Sequence, residues 1–171
     1  MADEHGLPEA RTAVLKTGRS VAVGLAVAAL LAAYAVLSFT ASLRKGTSFD
    51  EGEELAVGYN IWVNHDFRME GANGDFIKRW ATLPFLITQP NAVVPETPQW
   101  RNAQAYELGF LFMFRSGNAP EDLLAQGRAM VVLLGVATGA LIFFLCVWLY
   151  GELHKPALRS NCFYFLARKH G

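Results

Sequence analysis

The sequence predicts an all-α integral membrane protein, in which two transmembrane helices are joined by a long external loop with interfacial amphipathic helices. Hydrophobic residues make up 53% of the chain and are concentrated in two blocks, residues 21–43 and 129–150, neither of which contains a charged side chain. About 20 apolar residues in a helix cross a hydrocarbon core of about 30 Å. Each block is therefore long enough for one transmembrane helix.

The two blocks divide the chain into consecutive segments. We expect a cytoplasmic N-terminus over residues 1–19, a first transmembrane helix over 20–43, an external loop over 44–127, a second transmembrane helix over 128–150 and a cytoplasmic tail over 151–171. The orientation follows from the lysine and arginine residues outside the two blocks, because cytoplasmic flanks are enriched in them. These are Arg11, Lys16 and Arg19 before the first block and Lys155, Arg159, Arg168 and Lys169 after the second. The predicted location is the inner or plasma membrane of the cell.

The first block could alternatively be the core of a cleavable signal peptide. A charged stretch precedes it, and the small residues Thr40, Ala41 and Ser42 lie near its end. However, a signal core is typically about 7–15 residues long, and no clear A-x-A site closes this longer block. An uncleaved membrane anchor is the favoured interpretation.

Composition limits the classes of partner. Acidic and basic residues number 15 each, so the formal net charge is zero and gives no indication of a nucleic-acid partner. The cysteines are Cys146 in the second block and Cys162 in the tail, so no disulfide framework can hold the external loop together. We therefore expect the loop to rest on the lipid bilayer or on other protein.

An acidic cluster opens the external loop. The segment SFDEGEE, residues 48–54, contains four carboxylates. Ser48 and Glu51 fit a capping box, in which the serine side chain accepts from the third amide and the glutamate reaches back to the amide of the cap. Apolar side chains at i, i+4 and i+7 then predict a helix that continues to about His65. The other acids of the segment repel one another and are not needed for the cap, so we expect a cation close to them.

Further helices follow in the loop and in the second block. DFIKRWATLPFL predicts a short helix that Pro84 ends or kinks. Residues 100–114 are apolar nearly all round and predict one interfacial or buried helix. Pro120 suits a first helical turn, so the second transmembrane helix should begin well outside the bilayer. Within it, Gly135 and Gly139 either allow close approach of another helix or are chance small residues.

Three segments occur in an informative order. FDEGEELAVGYNIWVNHDF follows the first span, WATLPFL comes next, and GFLFMFRSGNAPEDLLAQGRAMVVLLGVATGALIFFLCVWLYGEL runs through the second span. This order, over about residues 15–155, resembles the N-terminal part of membrane glycosyltransferases of the GT-C fold, which include dolichyl-phosphate-mannose protein mannosyltransferases and bacterial aminoarabinose transferases. In that family an Asp-Glu pair opens the first external loop and an Arg starts the next span, which ends near a Gly. The matching residues here are Asp50, Glu51, Arg128 and, at the far end, Tyr150 with Gly151.

The resemblance implies inverting transfer of a sugar from a polyprenyl phosphate to an acceptor hydroxyl. Such a displacement needs a base near the hydroxyl and a counter-charge for the phosphate. By carry-over from the family motif, the candidate catalytic residues are Asp50, as the base, and Glu51, which would hold the helix end, an acceptor group or a divalent cation. The alternative is that both are solvated acids in a first helical turn, where the helix dipole favours the ionised form and weakens a base.

Arginine suits oxyanions, so Arg115 and Arg128 are the candidate phosphate-binding residues. Snorkelling at the membrane boundary is the commoner use of such residues. His65 and Asp66 could suggest a metal site together with Glu51. No H-x-x-x-H or paired-cysteine spacing supports one, so no metal ligand is assigned.

The chain departs from the family in two ways. First, family members commonly carry a His-Pro-Pro-like segment where this chain has GANGDFIKRWATLPFL. Second, the family has many more membrane helices, whereas the segment SNCFYFLARKHG is too short and too basic for a third span. We therefore expect the N-terminal part of a glycosyltransferase that is inactive alone and needs missing transmembrane helices or a partner membrane subunit. The alternative is a non-enzymatic two-span membrane protein that binds a partner through its external loop.

Overall fold

The computed structural model describes residues 7–69, 74–93 and 95–153, and of residues 7–19, 49 and 151–153 the backbone only. Throughout these ranges the regular elements are α-helices, so the all-α part of the predicted fold class is confirmed. In chain order they are α1 (Leu7–Leu43), α2 (Phe49–Asn64), α3 (Asp75–Ala81), α4 (Phe85–Thr88), α5 (Pro98–Arg101), α6 (Ala105–Phe114) and α7 (Pro120–Leu153).

Two of the described helices are long and apolar enough to cross a membrane. The candidate spans are Ser20–Leu43 within α1 and Pro120–Tyr150 within α7, with mean hydropathies of 2.3 and 2.7. In neither helix is any part of the most apolar window buried inside the protein. The helix α1 is longer than its candidate span, since it already includes part of the segment over residues 1–19. The second begins at Pro120 as predicted, whereas most of the expected tail, residues 154–171, lies outside the described residues.

The chain divides into two compact units, Met1–Tyr34 with Val136–Gly171, and Ala35–Gly135. In the first unit a Cβ atom placed on Gly139 would lie 2.7 Å from Leu31 Cδ2. That distance is shorter than a van der Waals contact, so α1 and α7 approach closely there, and a side chain at residue 139 would require the Leu31 side chain to move. This glycine of the predicted G-x-x-x-G pair thus accommodates a helix of the same chain.

The second unit has its core around α2. The Tyr59 ring packs edge-on against Phe85 and obliquely against Phe112, with ring centroids 5.6 and 5.8 Å apart. Glycines allow the neighbouring helices to come close: a Cβ on Gly58 would overlap the backbone carbonyl of α3, and one on Gly109 of α6 would lie 2.6 Å from the backbone nitrogen of α2 at residue 53. The buried apolar residues of this core include Leu55, Val57, Ile61, Leu108, Met113, Leu123 and Leu124.

The predicted start and end of α2 are confirmed. Ser48 is the N-cap, and its backbone amide donates to Glu51 Oε2 at 2.9 Å, which is the glutamate half of the capping box. His65 closes the helix with a left-handed backbone, φ 52°, and its amide donates to the Ile61 carbonyl at 3.1 Å. Downstream, α3 ends before Pro84, also as predicted.

The prediction of a single helix over residues 100–114 is wrong. The structure has α5 and α6 there, separated by a turn in which Ala103 adopts a left-handed backbone, φ 51°. A right-handed α-helix cannot continue through that conformation. The turn is held because the Trp100 indole donates to Asn60 Oδ1 at 3.1 Å and the Arg68 guanidinium lies 4.6 Å from the centre of its ring.

Candidate functional site

A cavity of about 450 Å³ lies within the second unit, between α2, α3 and α7. Most of its wall is apolar, and its polar lining is concentrated in a few charged side chains. The charged lining residues are Asp50, Glu51, Glu54, Lys78 and Arg128, and the apolar ones include Leu55, Ile77, Ala81, Leu124, Val131 and Val132. This composition suits a ligand that is mainly apolar and carries one charged group.

The cavity lies where the start of α2 packs close to α3 and α7. Glycines at positions 58 and 127 allow this close packing. Asp50 and Glu54 are one turn apart on α2, so they lie on the same face of that helix. On α7, Gly127 lies against Leu55, and a Cβ there would come within 2.6 Å of the leucine Cδ2 atom. These close approaches bring charged residues that are far apart in sequence to one opening.

Arg128 and Glu51 form the most extensive polar contact of the site. Arg128 Nε donates to Glu51 Oε1 at 2.9 Å, and Nη2 donates to Oε2 at 2.7 Å. The remaining guanidinium hydrogens reach the end of α1 and the linker after it: Nη1 donates to the carbonyls of Ser42 and Lys45 at 2.6 and 2.9 Å, and Nη2 to that of Gly46 at 2.9 Å. All five N–H donors of an arginine are thereby satisfied within the chain.

This contact sets the ionisation of Glu51. The two hydrogen bonds from Arg128 lower the pKa of Glu51 below its ordinary value of 4.5, while partial burial opposes them and the Ser48 amide adds to them. Glu51 is therefore a carboxylate held in an ion pair, with both oxygens already in hydrogen bonds. The ion pair links the start of α2 to α7, and Arg128 in turn binds the end of α1.

Lys78 is a buried cation that the sequence did not single out. Its side chain is only 1% exposed, and its Nζ lies 3.6 Å from Glu54 Oε2, whose side chain is 28% exposed. At that distance the contact is an ion pair without a short hydrogen bond. The expectation of a cation near the acidic cluster is thus confirmed. The observation that predicted it was that residues 48–54 contain more acidic side chains than a helix cap needs.

The two other acids of the cluster differ in their surroundings. Burial raises the pKa of Glu53 above its ordinary value of 4.5, although the positive charge of Lys78 partly offsets it. Asp50 is exposed at the cavity and makes no hydrogen bond or ion pair with any residue that the structure describes. Of the predicted catalytic pair, Asp50 is therefore available to a ligand, whereas Glu51 is engaged.

The structure places the other candidates as follows. Arg115 lies at the C-terminal end of α6 with its guanidinium 5.9 Å from the Phe110 ring, and it does not line the cavity. His65 is the exposed C-cap of α2, and Asp66 pairs with Arg68 at 2.7 Å. No group of three or more His, Cys, Asp or Glu side chains that could hold a metal ion occurs in the described part of the chain.

Comparisons with known proteins identify no relative. No protein-family model matches this chain, and no curated protein or solved structure is significantly similar to it. The resemblance to GT-C glycosyltransferases therefore stays a prediction that depends on the order of motifs in the sequence.

Proposed function

We propose that the chain is an integral membrane protein that supplies the first two membrane spans and the first external loop of a glycosyltransferase using a polyprenyl-phosphate-linked sugar. The observation that carries this proposal is the cavity itself, in which apolar walls, a buried lysine and an exposed carboxylate come together. A lipid-linked sugar phosphate matches this cavity chemically. It has an apolar tail, an anionic phosphate and a polar sugar, whose anomeric carbon the acceptor attacks.

Lys78 is the residue best placed to bind the phosphate. Lys78 is 1% exposed, and among the described residues its one ion-pair partner lies 3.6 Å away, which is too far for a short hydrogen bond. Burying a charge is unfavourable unless it is paired and hydrogen-bonded, so a phosphate oxygen in the cavity would complete its coordination. Arg128, in contrast, already uses its donors within the chain, so we assign it to positioning Glu51 and keep phosphate binding by Arg128 and Arg115 as untested predictions.

Asp50 is the proposed base. It would take the proton of the acceptor hydroxyl while the acceptor oxygen attacks the anomeric carbon of the sugar. The bond between that carbon and the phosphate oxygen breaks, and the polyprenyl phosphate leaves with the electron pair and an added negative charge. Lys78 would stabilise that charge, because a preformed cation at the leaving oxygen favours the transition state. Glu51 would hold Asp50 at the correct place at the start of α2.

The proposal includes the membrane topology. We propose that both candidate spans cross the bilayer with both termini in the cytoplasm and residues 44–127 outside, in the inner or plasma membrane. Asp50 is exposed in this chain, whereas displacement at a sugar carbon requires that competing water be kept out. We therefore expect further membrane helices or a partner membrane subunit to cover the cavity, and no sugar transfer by this chain alone.

Polyprenyl phosphate binding tests the proposal without requiring catalysis. The purified chain in nanodiscs should retain polyprenyl phosphate, measured by native mass spectrometry against a neutral polyprenol. Lys78→Gln should weaken binding at least about tenfold, because it removes the buried counter-charge. The double variant Lys78→Gln with Glu54→Gln should show the same loss, although it removes the negative charge of Glu54 together with the positive charge of Lys78. Exposed Lys45→Gln should bind normally.

Equal retention of polyprenyl phosphate and polyprenol by the wild-type chain would contradict the proposal. That result would favour the second candidate, a non-enzymatic membrane protein that binds a partner through the loop. An observation in favour of this alternative is that α6 leaves several large apolar or aromatic side chains about half exposed, namely Tyr106, Phe110 and Phe114.

A further inference from the structure

A second concave surface lies on another side of α3. We call it the aromatic groove; it has a volume of about 280 Å³ and is lined by Trp62, Phe76, Arg79, Trp80 and Leu83. None of these residues lines the cavity that contains Asp50 and Lys78. The groove therefore has to be explained separately from the proposed sugar-transfer site.

Among the described residues that line the aromatic groove, Arg79 is the only charged one. Its guanidinium carbon lies 4.2 Å from the centre of the Trp62 ring, and the Trp62 indole donates to the Arg79 carbonyl at 3.1 Å. The guanidinium makes no hydrogen bond or ion pair with any described residue, and its Nε is buried without an acceptor. Arg128 in the same unit has acceptors for all of its donors. Within the described ranges, the arginine of the groove thus has no anionic partner.

The groove lies beside the start of the transmembrane helix that the sequence predicts over residues 128–150. The Trp80 indole donates to the carbonyl of Met130 at 2.7 Å, and Met130 lies near the beginning of the transmembrane helix predicted over residues 128–150. On the same short helix, Phe76 is 65% exposed and Ile77 51% exposed. Tryptophan beside exposed apolar side chains at the end of a span is typical of the membrane–water interface.

We propose that the aromatic groove binds the phosphate headgroup of an anionic phospholipid of the surrounding bilayer. The free donors of Arg79 would bind the phosphate oxygens, and the rings of Phe76 and Trp80, stacked with centroids 6.2 Å apart, would contact the glycerol and the upper acyl chain. This inference rests on the membrane insertion that is part of the proposed function, and it does not depend on sugar transfer.

Asp75 is the competing partner within the chain. It lies one turn before Arg79, and its Oδ1 is also buried without a hydrogen-bond partner. Residues at i and i+4 on a helix can pair, yet these two do not bond each other in the structure. A pairing of Asp75 with Arg79 in the bilayer would leave no role for a lipid, and the experiment is designed to detect it.

Quenching of tryptophan fluorescence by brominated lipids tests the inference. The full chain carrying Trp148→Phe is placed in phosphatidylcholine nanodiscs that contain a small fraction of brominated phosphatidylglycerol or brominated phosphatidylcholine. We expect the anionic lipid to quench more efficiently. Arg79→Gln should reduce the preference about fivefold, the equivalent of about 1 kcal/mol for one basic side chain at an anionic surface. Arg101→Gln, at an exposed arginine outside the groove, should leave it unchanged.

The outcomes separate this inference from the proposed function. Trp148 lies within the second candidate span, so lipid brominated deep in its acyl chain should quench the wild-type chain more than Trp148→Phe if that span is inserted. If the two chains are quenched equally, membrane insertion and this inference both fail. With insertion shown, an unchanged lipid preference in Arg79→Gln overturns the inference alone, as does a preference abolished by inorganic phosphate in the buffer. A pairing of Asp75 with Arg79 would instead make Asp75→Asn and Arg79→Gln equally destabilising with no effect on lipid preference.

Discussion

Glu51→Gln isolates the charge of the contact that joins α1, α2 and α7. Glutamine at this position can still accept from the Ser48 amide and can still meet one nitrogen of Arg128, so the shape of the contact is kept. What is lost is the ion pair with Arg128, whose hydrogen bonds measure 2.7 and 2.9 Å. The substitution therefore measures how much the negative charge stabilises this junction.

The size of the effect follows from the exposure of the two partners. Hydrogen bonds to charged groups contribute about 1.5–3 kcal/mol in proteins, whereas exposed ion pairs contribute about 0.2–1 kcal/mol. Here the Arg128 side chain is 13% exposed and that of Glu51 is 34% exposed, so solvent screens the pair in part. We expect a loss of about 1–2 kcal/mol in the free energy of unfolding, which is about 2–8 °C in melting temperature for a chain of this size.

The pH dependence gives the sign of the effect. Because Arg128 lowers the pKa of Glu51 below its ordinary value of 4.5, the stabilisation is present above that value and is lost as the pH falls through the lower folded-state pKa. The difference in melting temperature between wild type and Glu51→Gln should therefore be constant from neutral pH down to about 4.5 and shrink below it. Circular dichroism of detergent-solubilised protein at several pH values measures it.

Glu107→Gln is the matched control. Glu107 occupies the equivalent first-turn position of α6, three residues after the N-cap, and is exposed. Its substitution removes the interaction with the helix dipole, about 0.3–1 kcal/mol, and involves no arginine. If Glu51→Gln and Glu107→Gln lower the melting temperature equally, or if the Glu51→Gln difference persists at the lowest pH, the Glu51–Arg128 contact does not stabilise the junction and the reasoning is refuted.

Three further predictions use the same preparations. Gly109→Ala should destabilise the protein by about 1–3 kcal/mol, since its Cβ would lie 2.6 Å from a backbone nitrogen of α2, whereas Gly24→Ala, with nothing within 4 Å, should not destabilise it. Glu54→Gln should lower the melting temperature, because it leaves the buried Lys78 without the counter-charge of Glu54. Glu53→Gln should raise the melting temperature at neutral pH, because burial raises the pKa of Glu53 and disfavours its charged form. Glu96→Cys, in a background without other cysteines, should react with an impermeant maleimide in intact cells; reaction only after permeabilisation would contradict the external position of the loop.

The features that the sequence predicted correctly depend on neighbouring residues. Ser48 and Glu51 are three positions apart, and Pro84 lies three residues after the end of α3, so the limits of α2 and α3 can be predicted from nearby residues. The break at Ala103 could not be predicted, because the adjoining Trp100 contacts Asn60 and Arg68, which lie 40 and 32 positions earlier. The partner of Glu51 lies 77 positions away, and the affinity of arginine for oxyanions had suggested a phosphate for Arg128 instead.

Two adjacent cations on α3 serve different surfaces, and the geometry of a helix explains why. Successive residues of an α-helix project about 100° apart, so Lys78 lines the charged cavity while Arg79 lines the aromatic groove. The orientation of α3 is fixed because Gly58 of α2 lies directly against its backbone. Because the two surfaces share no lining residue, the two cations can be tested separately. Lys78→Gln should weaken retention of polyprenyl phosphate and leave the lipid preference of the groove unchanged, whereas Arg79→Gln should do the opposite.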